Sequence, residues 1–169
     1  QRTVVVDGFS KTYAMTGWRI GYAVCRPDLA AMMAKIETNI HSCTSIPTQR
    51  AAYAALTGPQ EESRAMTAAF ARRAARITEL LNGIEGVSCV MPRGAFYVFP
   101  NVTGACARLG LKDANALCEL LLERANVAVL PRTCFGRRLE DQEYIRLSYA
   151  PSDANIEEGL RRMKAVIES

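Results

Sequence analysis

With 169 residues, 49% of them hydrophobic and 22% charged, the chain is long enough for a sizeable core and too apolar to stay disordered. Its net charge of +4 comes from scattered basic residues, with small clusters at Arg72-Arg73, Arg137-Arg138 and Arg161-Arg162. Such clusters fit solvated helix faces or loops, and without interleaved aromatics they argue against nucleic-acid binding.

Chain order gives the rest of the outline. The start, Gln1-Arg2-Thr3-Val4, lacks the long apolar run of a signal peptide and an initiator Met, so we expect residues upstream. Val4-Val5-Val6 reads as a buried strand ended by Asp7-Gly8, and residues 18–25 read as a second strand. Between them FSKTYAMTG reads as a loop too polar and Gly-marked to be core. Pro27-Asp28 opens a helix with Leu29, Met32, Met33 and Ile36 on its apolar face. A short helix follows from Pro47 to near Gly58, then a long one from about Pro59 to Asn82 with Met66, Phe70, Ile77, Leu80 and Leu81 as its stripe. Residues 87–91 and 95–99 read as strands joined by a turn at Pro92-Arg93-Gly94. Asp113 caps a helix containing Leu117, Leu120 and Leu121. Residues 127–130 and 145–149 read as strands, and Ser152 or Asp153 caps a last helix with Ile156, Leu160, Met163 and Ile167 on one face.

No run of about 18 apolar residues could span a membrane. The six Cys show no CxxC spacing and His41 is the only His, so we expect no metal site and read His41 as structural. Most of the Cys lie in apolar segments, which suggests reduced, buried thiols and a cytoplasmic protein.

The loop after the first strand carries the chemistry. Lys11 is a residue that condenses with an aldehyde, and Arg19, eight residues on, is one that holds a phosphate in a bidentate way. Attack needs an unprotonated amine, which a nearby cation such as Arg19 favours. On spacing alone, a Lys and an Arg flanking a loop are usually just solvated charges.

SKTYAMTGWRIGY, residues 10–22, resembles the lysine signature of class I/II, fold-type I aminotransferases, notably the aspartate aminotransferase group. The resemblance implies that Lys11 bonds to the cofactor, pyridoxal 5′-phosphate (PLP), and later moves the substrate's α-proton. It implies that Arg19 binds the cofactor phosphate. Many relatives carry a phosphate-binding Ser where this chain has Gly8; Ser10, beside Lys11, is kept and is either a cofactor-pocket residue or a turn-forming Ser. RGAFYVFP, residues 93–100, resembles the strand that reaches over the active site. It offers Phe96 as a substrate-contacting residue, with an ordinary core strand as the alternative, and the core reading is favoured for Tyr97. YIRLSYA, residues 144–150, resembles the strand whose Arg clamps the substrate α-carboxylate, here Arg146. A charge between Ile145 and Leu147 is costly unless paired, and a carboxylate would pair it; an outward-facing Arg is the alternative. VLPRTCFG, residues 129–136, resembles the preceding segment, except that relatives usually have Gly where this chain has Arg132. That change alters the pocket entrance or reflects a different substrate.

The fold class this implies is α/β, the C-terminal part of a fold-type I PLP-dependent transferase. Residues 1–58 would end the sheet of the large PLP-binding domain, 59–83 would be a connecting helix, and 84–169 a small α+β domain. The carboxylate facing the cofactor's ring nitrogen lies upstream in the family, and Asp7 is too close to Lys11 to replace it. Two strands detached from a large parallel sheet would expose their edges and apolar faces. The expected activity is therefore that of the parent protein, moving an amino group between an amino acid and a 2-oxo acid in a homodimer, while the isolated chain is expected to be inactive. A PLP lyase of the same fold, the PLP domain of a transcriptional regulator, and a structural remnant remain open as alternatives.

Overall fold

Valine-rich β1 (Val5–Gly8) pairs with β2 (Gly21–Val24) in the computed structural model, which describes residues 2–136 and 141–169. The Arg137-Arg138 cluster lies outside the described residues. The chain divides into two compact units, one up to Met66 and one from Thr67 to Ser169.

In the first unit, β1 and β2 run antiparallel, in register from Val5 opposite Val24 to Gly8 opposite Gly21. This corrects the expected parallel arrangement: residues 9–20 fold back on themselves and return the chain to the same ribbon end, where Phe9 N–H meets Ile20 C=O. Val4–Val6, read by themselves as a buried strand, are exposed, as expected of strands detached from a larger sheet. Val6 is 76% exposed and Val24 59%, because the unit places no second layer over the ribbon. Helix α2 (Pro27–Ile40) starts with Pro in its first turn, where a missing N–H costs nothing. Its apolar face lacks cover too, with Met32 63% and Ile36 56% exposed. His41 closes α2, its Nδ1 3.0 Å from Glu37 one turn back.

The stretch expected to lie outside the core instead forms the centre of this unit. Phe9 and Met15 are buried with Ala52 of α3 (Ile46–Thr57), and Tyr13, Ile20, Ala51 and Ala55 pack around them. The polar count of FSKTYAMTG misleads because its two large apolar residues turn to the same side. A single turn of helix, α1 (Phe9–Thr12), directs Phe9 inward and leaves Lys11 and Thr12 outside.

Helix α4 (Glu61–Asn82) starts in the first unit and gives most of its length to the second. There Ala74, Ile77 and Leu81 enter a core shared with α6 (Ala114–Leu120) and α7 (Asp153–Ile167). Ile77, Leu81, Leu117, Leu121, Ile145, Met163 and Ile167 are all fully buried. Each such side chain contributes about 1.5–3 kcal/mol. Arg73, one of the expected solvated pair, is drawn in: its Nε lies 2.6 Å from Asp153, tying α4 to the start of α7. Both predicted caps form, with Asp113 accepting from Ala116 N–H at 3.0 Å and Ser152 from Asn155 N–H at 3.3 Å. A short helix, α5 (Thr103–Arg108), falls where the sequence shows no helical period.

The sheet of this unit has the order β3-β5-β4, both pairs antiparallel: β3 is Tyr97–Val98, β4 Leu130–Pro131 and β5 Ile145–Ser148. The expected strand over 87–91 is reduced to one bridge, Ser88 opposite Asn101. Asn82 explains the loss. Its side chain accepts from Cys89 N–H at 2.8 Å and donates to Cys89 C=O at 3.0 Å, occupying the groups a strand partner would use.

All six thiols are free, but the burial expected of most of them holds only for Cys89 and Cys106; Cys25 and Cys118 are half-buried, and Cys43 and Cys134 are exposed. Burial pushes the Cys106 thiol up to about 11 and the Cys118 thiol up to about 12, so neither is primed as a nucleophile.

Gly86 turns the chain at φ +79°, and a Cβ there would sit 2.5 Å from Ala105 N. Gly86→Ala is therefore expected to destabilise by about 2–5 kcal/mol, from left-handed strain plus overpacking. Gly94→Ala, with open space around it, is expected to stay within about 0.5 kcal/mol. Denaturant midpoints of the two variants check this.

Candidate functional site

The first candidate cluster is the β1–β2 connection. The Gly8–Gly21 pair brings the two ends of the loop side by side, and Phe9 N–H donates to Ile20 C=O at 3.3 Å. The closeness requires Gly21, since a Cβ there would approach Asp7 O at 2.8 Å. Ser10 and Lys11 thus stand at the same end of the ribbon as Arg19. Buried Phe9 anchors the turn below Lys11, while Ser63 Oγ donates to Thr12 C=O at 3.0 Å on its far side. Tyr13 OH adds a bond to Gln60 at 3.3 Å, and Gln60 in turn donates to Ala55 and Gly58 carbonyls. The loop therefore holds its shape through its backbone and leaves the Lys11 amine exposed.

Arg19 adopts a left-handed conformation at φ 51°, as does Ala14 at φ 52°. Such conformations cost about 1–3 kcal/mol each in a non-glycine residue and concentrate where chemistry needs them. The strain turns the Arg19 side chain back over its own loop, where one guanidinium nitrogen, Nη1, donates to Thr16 C=O at 3.0 Å. One bond fixes the fork and leaves further N–H groups for an anion. Ser10 is half-buried beside Lys11.

The second cluster lies on the outer face of the β3-β5-β4 sheet. Alternation along β5 buries Ile145 and Leu147 and turns Arg146 and Ser148 the other way. The Arg146 guanidinium sits between two rings, Tyr97 and Phe135, with its carbon 4.4 Å from each ring centre. The rings cover its flat faces and offset its burial. Among the described residues no carboxylate forms an ion pair with it. Rings on the faces leave the in-plane N–H edges, the ones a carboxylate takes in a bidentate way.

Phe96, just before β3, and Tyr97 touch, their ring centres 4.4 Å apart, and Tyr97 stands at Arg146 rather than in the core where it was expected. Phe96 is half-buried against the core, 6.0 Å from Phe70 centre to centre, while Tyr97 meets Arg146. Sequence reasoning did not single out Phe135, Phe99 or Tyr144, which continue the outer face: Phe99 stacks on Tyr144 at 5.5 Å and meets Phe135 edge-on at 5.9 Å. Strand alternation carries the signal. Tyr97 and Phe99 flank inward Val98, and Tyr144 and Arg146 flank inward Ile145.

The family model for aminotransferase class I and II matches residues 1–163. The chain belongs to this family. It is 41% identical to an aspartate aminotransferase of Rhizobium meliloti over 169 residues, covering 97% of this chain and 40% of that protein. It is 40% identical to the aspartate aminotransferase of Bacillus subtilis (strain 168), over 99% of this chain and 42% of the relative. Among solved structures, the aspartate aminotransferase from Rhizobium meliloti superposes with a TM-score of 0.90 at 39% identity, covering 99% of this chain and 42% of that one. The aromatic aminotransferase from Pyrococcus horikoshii OT3 gives 0.87 at 34% identity, covering 99% and 43%. The fold is thus the mixed α/β fold of a fold-type I aminotransferase, of which the chain spans about two-fifths of the length of these relatives.

Proposed function

We propose that the protein carrying this chain is a PLP-dependent aminotransferase that moves an amino group between an amino acid and a 2-oxo acid. The observation that carries the proposal is the Lys11 loop: an exposed amine on a turn anchored by buried Phe9, with Ser10 and the Arg19 fork at the same ribbon end. This donor set fits the cofactor, since a primary amine suits an aldehyde, and a guanidinium with a hydroxyl suits a phosphate dianion. When bound, PLP supplies an aldehyde that bonds to amines and a ring that draws electrons from the substrate's α-carbon.

Lys11 is the residue that holds the cofactor, and its Nζ carries the proton taken from the substrate α-carbon. Arg19 binds the phosphate, with Ser10 as a second donor. Arg146 clamps the substrate α-carboxylate through the N–H edges that its two rings leave free, and Phe96 contacts the substrate. The domain reading follows: residues 1–58 as the end of the large PLP-binding domain, 59–83 as connector and 84–169 as the small domain. The proposal extends to a cytoplasmic homodimer. Six free thiols suit a reducing compartment, and the uncovered apolar residues of β1, β2 and α2 suit coverage by the rest of the protein or a second copy.

A coupled assay tests the proposal. The full-length protein is expected to turn over an amino acid with a 2-oxo acid, while the isolated 169-residue chain is expected to show none. Turnover by the isolated chain, or elimination instead of transfer by the full-length protein, would contradict it.

A further inference from the structure

Arg132 is the second cation on the outer face that bears Arg146. Its backbone N–H donates to Tyr144 C=O at 2.9 Å, and its guanidinium carbon lies 5.7 Å from the Tyr144 ring centre. The turn that follows is pinned by Thr133 Oγ1, which donates to Asn115 Oδ1 at 2.9 Å. Phe99, Arg132, Phe135 and Tyr144 together line a cavity of about 320 Å³. One Arg132 nitrogen, Nη1, is buried and has no hydrogen-bond partner among the described residues.

That arrangement asks for a particular ligand. A buried guanidinium N–H without an acceptor is costly, and an apolar guest would leave it so. A carboxylate supplies the acceptor and the opposite charge, and the three rings suit the methylenes that would carry it. Phe135 links this cavity to the α-carboxylate clamp, because Arg146 lies over the same ring. A substrate held at Arg146 therefore has a second, anion-seeking cavity across a single aromatic side chain.

We infer that Arg132 is a specificity-determining residue that receives the side-chain carboxylate of a dicarboxylic amino acid or 2-oxo acid. The inference rests on the aminotransferase reading above and deepens it. In the full-length holoenzyme, Arg132→Gly is expected to lower kcat/KM for aspartate or glutamate by roughly 30- to 5,000-fold, the range for losing one partner of a buried charge pair. Activity on alanine or leucine is expected to stay within about threefold, and Arg132→Lys to recover part of the loss as a single point charge. A parallel fall for both substrate classes, or no change for either, would overturn the inference. The unaltered holoenzyme provides a test free of folding effects: succinate is expected to inhibit at least tenfold more tightly than propionate, and equal inhibition overturns the inference. If only monocarboxylic amino acids react, Arg132 loses this role while the aminotransferase reading stands. If no amino acid reacts, it is that reading which fails.

Discussion

Replacing Lys11 with Ala is expected to lower amino transfer by the full-length protein by about 10⁴-fold, the upper end of what a positioned proton-transfer group contributes. The expectation follows from geometry that the substitution leaves alone. Lys11 is exposed, and the turn that carries it is held by Phe9 beneath, by Ala14 N–H donating to Lys11 C=O and by the Ser63 hydroxyl donating to Thr12 C=O. The variant should therefore fold with an unchanged denaturation midpoint. A loss of activity with intact stability separates a chemical role from a structural one. Lys11→Arg keeps the charge but lacks a nucleophilic amine, since guanidinium does not deprotonate in proteins; it is expected to be as inactive as Ala. Activity within about tenfold of the parent in either variant would remove Lys11 from the mechanism.

Arg146→Ala carries the second large effect. Truncating one partner of a hydrogen-bonded charge pair costs about 2–5 kcal/mol, so kcat/KM is expected to fall roughly 30- to 5,000-fold for every amino acid tested. The loss should be uniform across substrates, because the α-carboxylate is common to all of them. Arg146→Lys is expected to restore little. An ammonium cannot present two parallel N–H groups, nor lie flat between Tyr97 and Phe135. If Lys restored full activity, the clamp would be reduced to a point charge and the ring sandwich would have no role in orientation. Steady-state kinetics with two or three amino acids of different side chain decide this.

Helices α4, α6 and α7 were legible because one apolar face per helix repeats at helical spacing, and both predicted caps occupy their places. Residues 87–91 were not, because an alternating apolar run says nothing of Asn82, whose side chain takes the Cys89 backbone groups. Phe9 and Met15 were missed for a related reason. A loop judged by its polar content hides two apolar residues, brought to one side where Met15 N–H bonds back to Phe9 C=O. The consecutive valines of β1 and the helical repeat of Leu29, Met32, Met33 and Ile36 in α2 do read as buried faces. Their exposure reflects what the chain holds, about two-fifths of the length of its relatives. At the candidate site, Lys11, Arg19 and Arg146 were readable as residue types in motifs. The ring pair around Arg146 and the Arg132 cavity were not, since they depend on strand register and on a turn that returns Phe135 to the sheet face.

Borohydride reduction of the PLP-loaded full-length protein, followed by peptide mass mapping, tests the central claim most directly. The reduced pyridoxyl group is expected on Lys11 and at no other lysine. Label on any other residue, or a full-length protein that takes up PLP but yields no labelled peptide, would contradict the assignment of Lys11 as the cofactor-holding residue.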